Sequence, residues 1–217
     1  MDNDREVTIR RKHPLWIRWA HWINLPLLSL MLFSGAMIYW AHDAYTPFIP
    51  DGFYRALGLN SRLAEGMALH FAVMWLFVIN GALYLLYLAF SGEWRELVPT
   101  RAAFRDAGRV MLHDLGLRKE LPPQGKFNAA QRLAYSGIMA LGVLAVASGL
   151  AIYKPIQLGW LRVLFGGYEG ARLVHFLLAV AFIAFFAIHI AQVLRAGWNN
   201  FQAMVTGWEV EHEREDR

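Results

Sequence analysis

The sequence predicts an all-α integral membrane protein, a four-helix bundle with both termini cytoplasmic and a basic amphipathic cytoplasmic segment between spans two and three. Three observations predict it. Of 217 residues, 57% are hydrophobic and only 18% are charged, a membrane composition. The apolar residues gather into four blocks, at about 15–40, 66–90, 133–153 and 173–194, each long enough to cross a hydrocarbon layer of roughly 30 Å. The lysines and arginines divide sixteen against five between alternate connections, which places the richer side and both termini in the cytoplasm. Barrel strands are excluded, because the blocks are too long and lack alternation. The chain reads as a single domain, 1–217, without linker, low-complexity tract or internal repeat.

The amino terminus mixes Asp2, Asp4 and Glu6 with Arg5, Arg10, Arg11 and Lys12 and carries no small-residue cleavage site, so the first block is a retained span. The outer connection 42–65 holds Pro47, Pro50, Gly52 and Gly58 and predicts a loop with one short helix over 53–57. In the connection 91–131, Trp94, Leu97, Val98, Phe104, Val110, Met111 and Leu115 alternate with arginines, as in a helix lying among headgroups. Pro122, Pro123, Gln124 and Gly125 stop it before span three. The second outer connection, 154–170, carries Pro155, Gly166, Gly167 and Gly170 and predicts a short amphipathic piece over 158–165. Trp16, Trp40, Trp94, Trp160 and Trp198 lie near block ends and suit interfacial belts. Cysteine is absent, which excludes disulfides, thiolate-held iron–sulfur clusters and covalent c-type haem attachment in this chain. The positive net charge reflects topology and not a nucleic-acid partner.

Four of the eight histidines lie inside the blocks, and an ionisable residue within a membrane is a candidate for function. His13, His42, His113 and His212 lie outside them. His175 and His189 stand fourteen residues apart on span four, just under four turns, so they face the same way about 21 Å apart along the axis. With both termini inside, His21 matches His189 in depth near the cytoplasmic edge, and His70 matches His175 near the outer edge. Two depth-matched pairs sharing one helix point to bis-histidine ligation of two haem b groups. Structural zinc would want four clustered ligands at each site instead. Gly35, Gly81, Gly137, Gly142 and Gly149 offer room for a macrocycle, or serve helix packing. Arg18 and Arg172, each three residues before a proposed ligand, offer charge to haem propionates.

The segment His13-Pro-Leu-Trp-Ile-Arg-Trp-Ala-His21-Trp, the early histidine of span two and the His175/His189 pair resemble the di-haem cytochrome b subunits of bacterial formate dehydrogenase, nickel–iron hydrogenase and thiosulfate reductase, the prokaryotic cytochrome b561-like group. The likeness covers all four spans. The motifs Phe165-Gly-Gly-Tyr-Glu-Gly-Ala-Arg-Leu-Val-His175 and Gly197-Trp-Asn-Asn-Phe-Gln-Ala-Met-Val-Thr-Gly207 are similar to members that accompany periplasmic molybdopterin oxidoreductases. The resemblance implies His21 with His189 on the cytoplasmic-side haem and His70 with His175 on the outer one, the pairs that depth also gives. It further implies a quinone pocket at an Asn-Ala-Gly-Gln motif opening span three. Here the motif reads Asn128-Ala-Ala130-Gln131, with alanine in the glycine position. Asn128 and Gln131 share one side of a starting helix and either offer amide donors to a quinone carbonyl or cap the helix.

The expected function follows from these two sources together. It is a membrane-anchoring subunit of the bacterial inner membrane, passing electrons between an extracytoplasmic molybdopterin, nickel–iron or iron–sulfur oxidoreductase and the quinone pool. Substrate chemistry belongs to the partner. His113, Asp114 and Glu120 are the candidates for proton exchange on the cytoplasmic side. Two alternatives remain open from the sequence: a self-contained cytochrome oxidising a small reductant such as superoxide, and a haem-free transporter whose histidines relay protons.

Overall fold

The computed structural model describes residues 7–40, 50–59, 61–114, 116–120 and 127–212. His42, Pro47, Leu115, the 122–125 breaker and both charged chain ends lie outside the described residues, as do the side chains of Trp40, Asp114 and His212. In chain order the elements are β1 (Val7–Arg11), α1 (Leu15–Trp40), α2 (Asp51–Ala56), α3 (Leu63–Ser91), α4 (Trp94–Leu97), α5 (Arg101–Asp114), α6 (Ala129–Tyr153), α7 (Gly159–Leu164), α8 (Tyr168–Thr206) and β2 (Trp208–His212). The protein is mostly helical, and α1, α3, α6 and α8 are long and apolar enough to cross a membrane. Span one begins and ends where expected. Helices α3 and α6 start three and four residues before their apolar blocks, because a first turn needs helical geometry but not apolar side chains. The chain divides into two compact units, residues 1–85 with 193–217, and residues 86–192.

In the first unit, β1 and β2 form an antiparallel pair with Val7 opposite His212 and Arg11 opposite Trp208. This two-stranded pair is a small addition to an otherwise helical fold. Its strands are five residues each and come from opposite ends of the chain, so no local pattern announces them. Gly197, at φ 79° and ψ 179°, breaks α8 in a region of backbone space nearly closed to other residues. The segment after it is held from several directions. The Lys12 ammonium bridges Glu209 at 2.6 Å and donates to the Asn200 side-chain oxygen at 3.0 Å. Asn199 donates to the Val210 carbonyl at 2.8 Å and accepts from its N–H at 3.0 Å. The Trp22 indole N–H donates to the Met204 carbonyl at 3.1 Å, and the Arg18 guanidinium donates to that of Val205.

Helices α1 and α3 approach closely at Gly66, where a Cβ would stand 2.7 Å from that of Met37. Tyr54 of α2 and Leu59 are buried against Met37 and close the connection. Burial raises the Tyr54 phenol above its ordinary pKa of 10.0, with a smaller contribution from Tyr39. Farther along, the Asn80 amide donates to the Ala20 carbonyl at 3.1 Å, an inter-helix bond inside the apolar spans.

In the second unit, Ala103, Ala107 and Val110 are buried at helical spacing on α5, which packs on α6. Arg101, Arg105 and Arg109 fall on the opposite side of α5 at 100° per residue, and exposed Phe104 and Met111 lie between the two faces. That three-sector pattern suits a helix at a headgroup layer. The Ser136 hydroxyl donates to the Leu97 carbonyl at 3.0 Å and Arg132 meets Glu96 at 3.4 Å, so α4 is also tied to α6. At the other end of α6, Ala151, Leu161 of α7 and Ala171 of α8 form a buried cluster. The short pieces expected over 53–57 and 158–165 are α2 and α7.

Candidate functional site

On α1, α3 and α8, the exposed apolar side chains include a stripe roughly opposite a histidine. On α3, Leu76, Ile79, Leu83, Leu86 and Phe90 are exposed, and at 100° per residue they cluster roughly opposite His70. On α1, Trp16, Trp19, Ile23 and Leu30 do the same opposite His21, and on α8, Leu173, Leu177, Val180 and Ile188 opposite His175. In water such stripes would be unfavourable by about 25 cal/mol per Å². In hydrocarbon such apolar side chains carry no such penalty. Because α8 bends only at Gly197, the helix is unbroken from His175 to His189. All four imidazoles are partly buried.

The surroundings of His70 and His175 are built alike. In the first unit, the Ser34 hydroxyl lies 2.9 Å from His70 Nδ1 and donates to the Leu30 carbonyl at 2.7 Å. In the second, the Ser148 hydroxyl lies 3.0 Å from His175 Nδ1 and donates to the Leu144 carbonyl at 2.8 Å. Both serines are fully buried. A glycine follows each: a Cβ on Gly35 would sit 3.8 Å from His70 Cε1, and one on Gly149 only 3.1 Å from His175 Cε1. The match continues outward. Met37 and Ala151, three residues after each serine, lie in the buried clusters at the helix ends, and small residues Gly66 and Ala171 stand four before each histidine. No repeat shows in the amino-acid sequence, because only the small, polar and histidine positions are shared. Nearer the opposite ends, His189 stacks on Phe185 with rings 6.0 Å apart and nearly parallel, and His21 meets the Trp22 edge at 5.3 Å.

This donor set fits haem b. Two of the imidazoles engage a serine through Nδ1, which leaves Nε2 available to a metal, and the neighbouring glycines keep side-chain bulk away from the ring. Among the described residues no three His, Cys, Asp or Glu side chains gather as a bare metal ion requires. Gly81, Gly137 and Gly142 border open space.

The remaining sequence candidates have identifiable partners. Arg18 is engaged with the Val205 carbonyl, and Arg172 pairs with Glu169 at 3.3 Å and lies 5.8 Å from the centre of the Tyr168 ring. Asn128 and Gln131 form a reciprocal capping box. The Asn128 side-chain oxygen accepts from the Gln131 N–H at 2.8 Å and the Gln131 oxygen from the Asn128 N–H at 3.0 Å. The box uses the two amide oxygens and does not involve the amide nitrogens. Glu120 is exposed and 3.7 Å from Arg118, and His113 is half-buried near the end of α5. Sequence reasoning passed over Ser34, Ser148 and Asn80. Their signal was present, as polar residues inside otherwise apolar blocks, two of them in a Ser-Gly pair shortly before a helix end.

The family described as prokaryotic cytochrome b561 matches residues 12–207. A protein of Azospira oryzae named putative protein-methionine-sulfoxide reductase subunit YedZ1 is 37% identical over 184 residues, covering 83% of this chain and 89% of its own. The match includes all four membrane-length helices and the segment beyond Gly197. The chain therefore belongs to the prokaryotic cytochrome b561 family, as a multi-pass bacterial membrane cytochrome that binds haem b and transfers electrons.

Proposed function

We propose that the protein is the membrane-anchoring, di-haem subunit of a two-part oxidoreductase, passing electrons between the quinone pool and an extracytoplasmic molybdopterin partner. The observation that carries this reading is the pair His175 and His189, four turns apart on the unbroken part of α8. His189 with His21 and His175 with His70 would hold the two groups, matched by depth along the spans. A haem held by such a pair of imidazoles would supply a reversible one-electron couple. The residues of this chain orient the imidazoles, exclude water with apolar helix faces and set the local polarity. The propionate roles of Arg18 and Arg172 require each guanidinium to exchange or share its present partner.

The charge division of sixteen against five supports a cytoplasmic location for both termini, and the pairing of β1 with β2 supports their lying on one side. The quinone would then be met at the start of α6, where the Asn128 and Gln131 amide nitrogens remain donors. The named relative makes a methionine-sulfoxide-reducing enzyme the partner to test first. Reduction of a sulfoxide to a thioether consumes two electrons and two protons and releases water, so electrons would run from quinol through this chain to the partner. The purified protein is expected to give a sharp b-type alpha band on dithionite reduction and two haems per chain by pyridine haemochromogen assay. A content of one or none overturns the di-haem reading. Co-purification from native membranes is expected to bring a molybdenum enzyme, and its absence in solubilised complexes that retain quinol oxidation would favour a self-contained cytochrome.

A further inference from the structure

We infer that Ser34 and Ser148 are positioning residues that lock His70 and His175 in the tautomer needed to bind iron and tune the potential of the haem those histidines share. The inference rests on the di-haem reading above. Its core is a proton count. A serine hydroxyl has one proton, and the Ser34 hydroxyl lies 2.7 Å from the Leu30 carbonyl and 3.1 Å from that of Met31, groups that only accept. Its proton is thereby committed to the backbone. The 2.9 Å contact with His70 must then run the other way, with Nδ1–H donating and Oγ accepting. Ser148 repeats the arrangement, at 2.8 Å from the Leu144 carbonyl, 3.2 Å from that of Ala145 and 3.0 Å from His175 Nδ1. In both hairpins the proton is fixed on Nδ1, and Nε2 presents a bare lone pair.

Burial makes the lock firm, since both hydroxyls are shut off from solvent and no water competes for Nδ1. An N–H that donates to an oxygen also makes the imidazole a better electron donor, which favours ferric over ferrous iron. The serines are therefore expected to hold the potential of the His70/His175 haem down. At His175 the Ala145 carbonyl is a further acceptor, so loss of the Ser148 hydroxyl is cushioned there and loss of the Ser34 hydroxyl is felt more. Ser29 supplies the control: it bonds the Leu25 carbonyl at 2.8 Å in the same way on the same helix but is exposed.

The test is a redox titration with low-spin ferric EPR on detergent-purified holoprotein. Ser34→Ala is expected to keep two haems and raise one midpoint potential by about 59 mV, a tenfold change in the ferric-to-ferrous ratio, with a shifted g value for that haem alone. Ser148→Ala is expected to move the same haem less, Ser34→Thr to restore it, and Ser29→Ala to change nothing. Unaltered potentials and g values in both alanine variants overturn the inference while leaving the di-haem reading intact. Fewer than two haems in the wild type overturns that reading instead. Should Ser34→Ala lose haem, Ser34→Thr decides: two haems at wild-type potentials supports the lock, and haem loss with the hydroxyl present overturns it.

Discussion

At the scale of single residues, the site depends on groups that differ from ligands of a bare ion. His189→Ala is expected to remove one haem and leave the other, so that haem content falls from two to one while the b-type band persists. Gly149 is the most demanding small residue. Its absent side chain would come 3.1 Å from His175 Cε1, so Gly149→Val has to displace the imidazole. That variant is expected to lose the haem shared with His70, read as halved haem content with the His189-dependent spectrum retained. Tyr54 gives a pH dependence. Its folded pKa is raised by burial, so the contact of α2 with Met37 contributes stability fully below pH 10 and loses it as pH rises through the folded value. Alkaline absorbance titration is expected to show less late phenol ionisation in Tyr54→Phe than in the wild type. The four histidines were legible in the sequence because charge-bearing residues stand out against apolar blocks. The serines stood out as polar residues in the same blocks, but their role did not, because a helix serine bonds its own backbone as readily as a neighbour and only the partner on the next long helix distinguishes the two.

At the scale of elements, the helices follow from composition, and their ends follow from a few special residues. Asn128 and Gln131 close the start of α6 with a reciprocal cap, worth about 1 kcal/mol at such positions. Gly197 is the clearest single determinant. Its φ of 79° and ψ of 179° lie where a Cβ clashes with the backbone, and such strain costs about 1–3 kcal/mol. Gly197→Ala is expected to lower the thermal midpoint of the purified protein and to weaken docking of the segment after the bend, seen as faster proteolysis near Trp208. The haem spectrum should persist, because His189 lies two turns earlier. The bend itself was hidden in the sequence, where the fourth apolar block merely fades into Trp198, Asn199 and Asn200. Span boundaries were readable to within a few residues because hydrocarbon admits only closed helical hydrogen bonding over a fixed length.

At the scale of the whole molecule, orientation is the property most open to direct test, because the chain has no cysteine and accepts single reporter thiols. With both termini cytoplasmic, a membrane-impermeant maleimide should label Ile156→Cys, beside α7, in intact spheroplasts and Ile9→Cys, in β1, only after lysis. The reverse pattern would invert the proposed direction of electron delivery. The sequence by itself determined four membrane-length helices, the placement of four histidines within them and the family, because apolar length, fourteen-residue spacing and buried charge are local signals that survive without knowledge of neighbours. Only the tertiary structure decided that β1 pairs with β2, that the segment after Gly197 is held by Lys12, Arg18 and Trp22, and that two unlike hairpins present the same Ser-Gly-to-histidine contact. Each of these joins residues far apart in the chain, so each is specified by where the elements meet and not by any pattern within one of them.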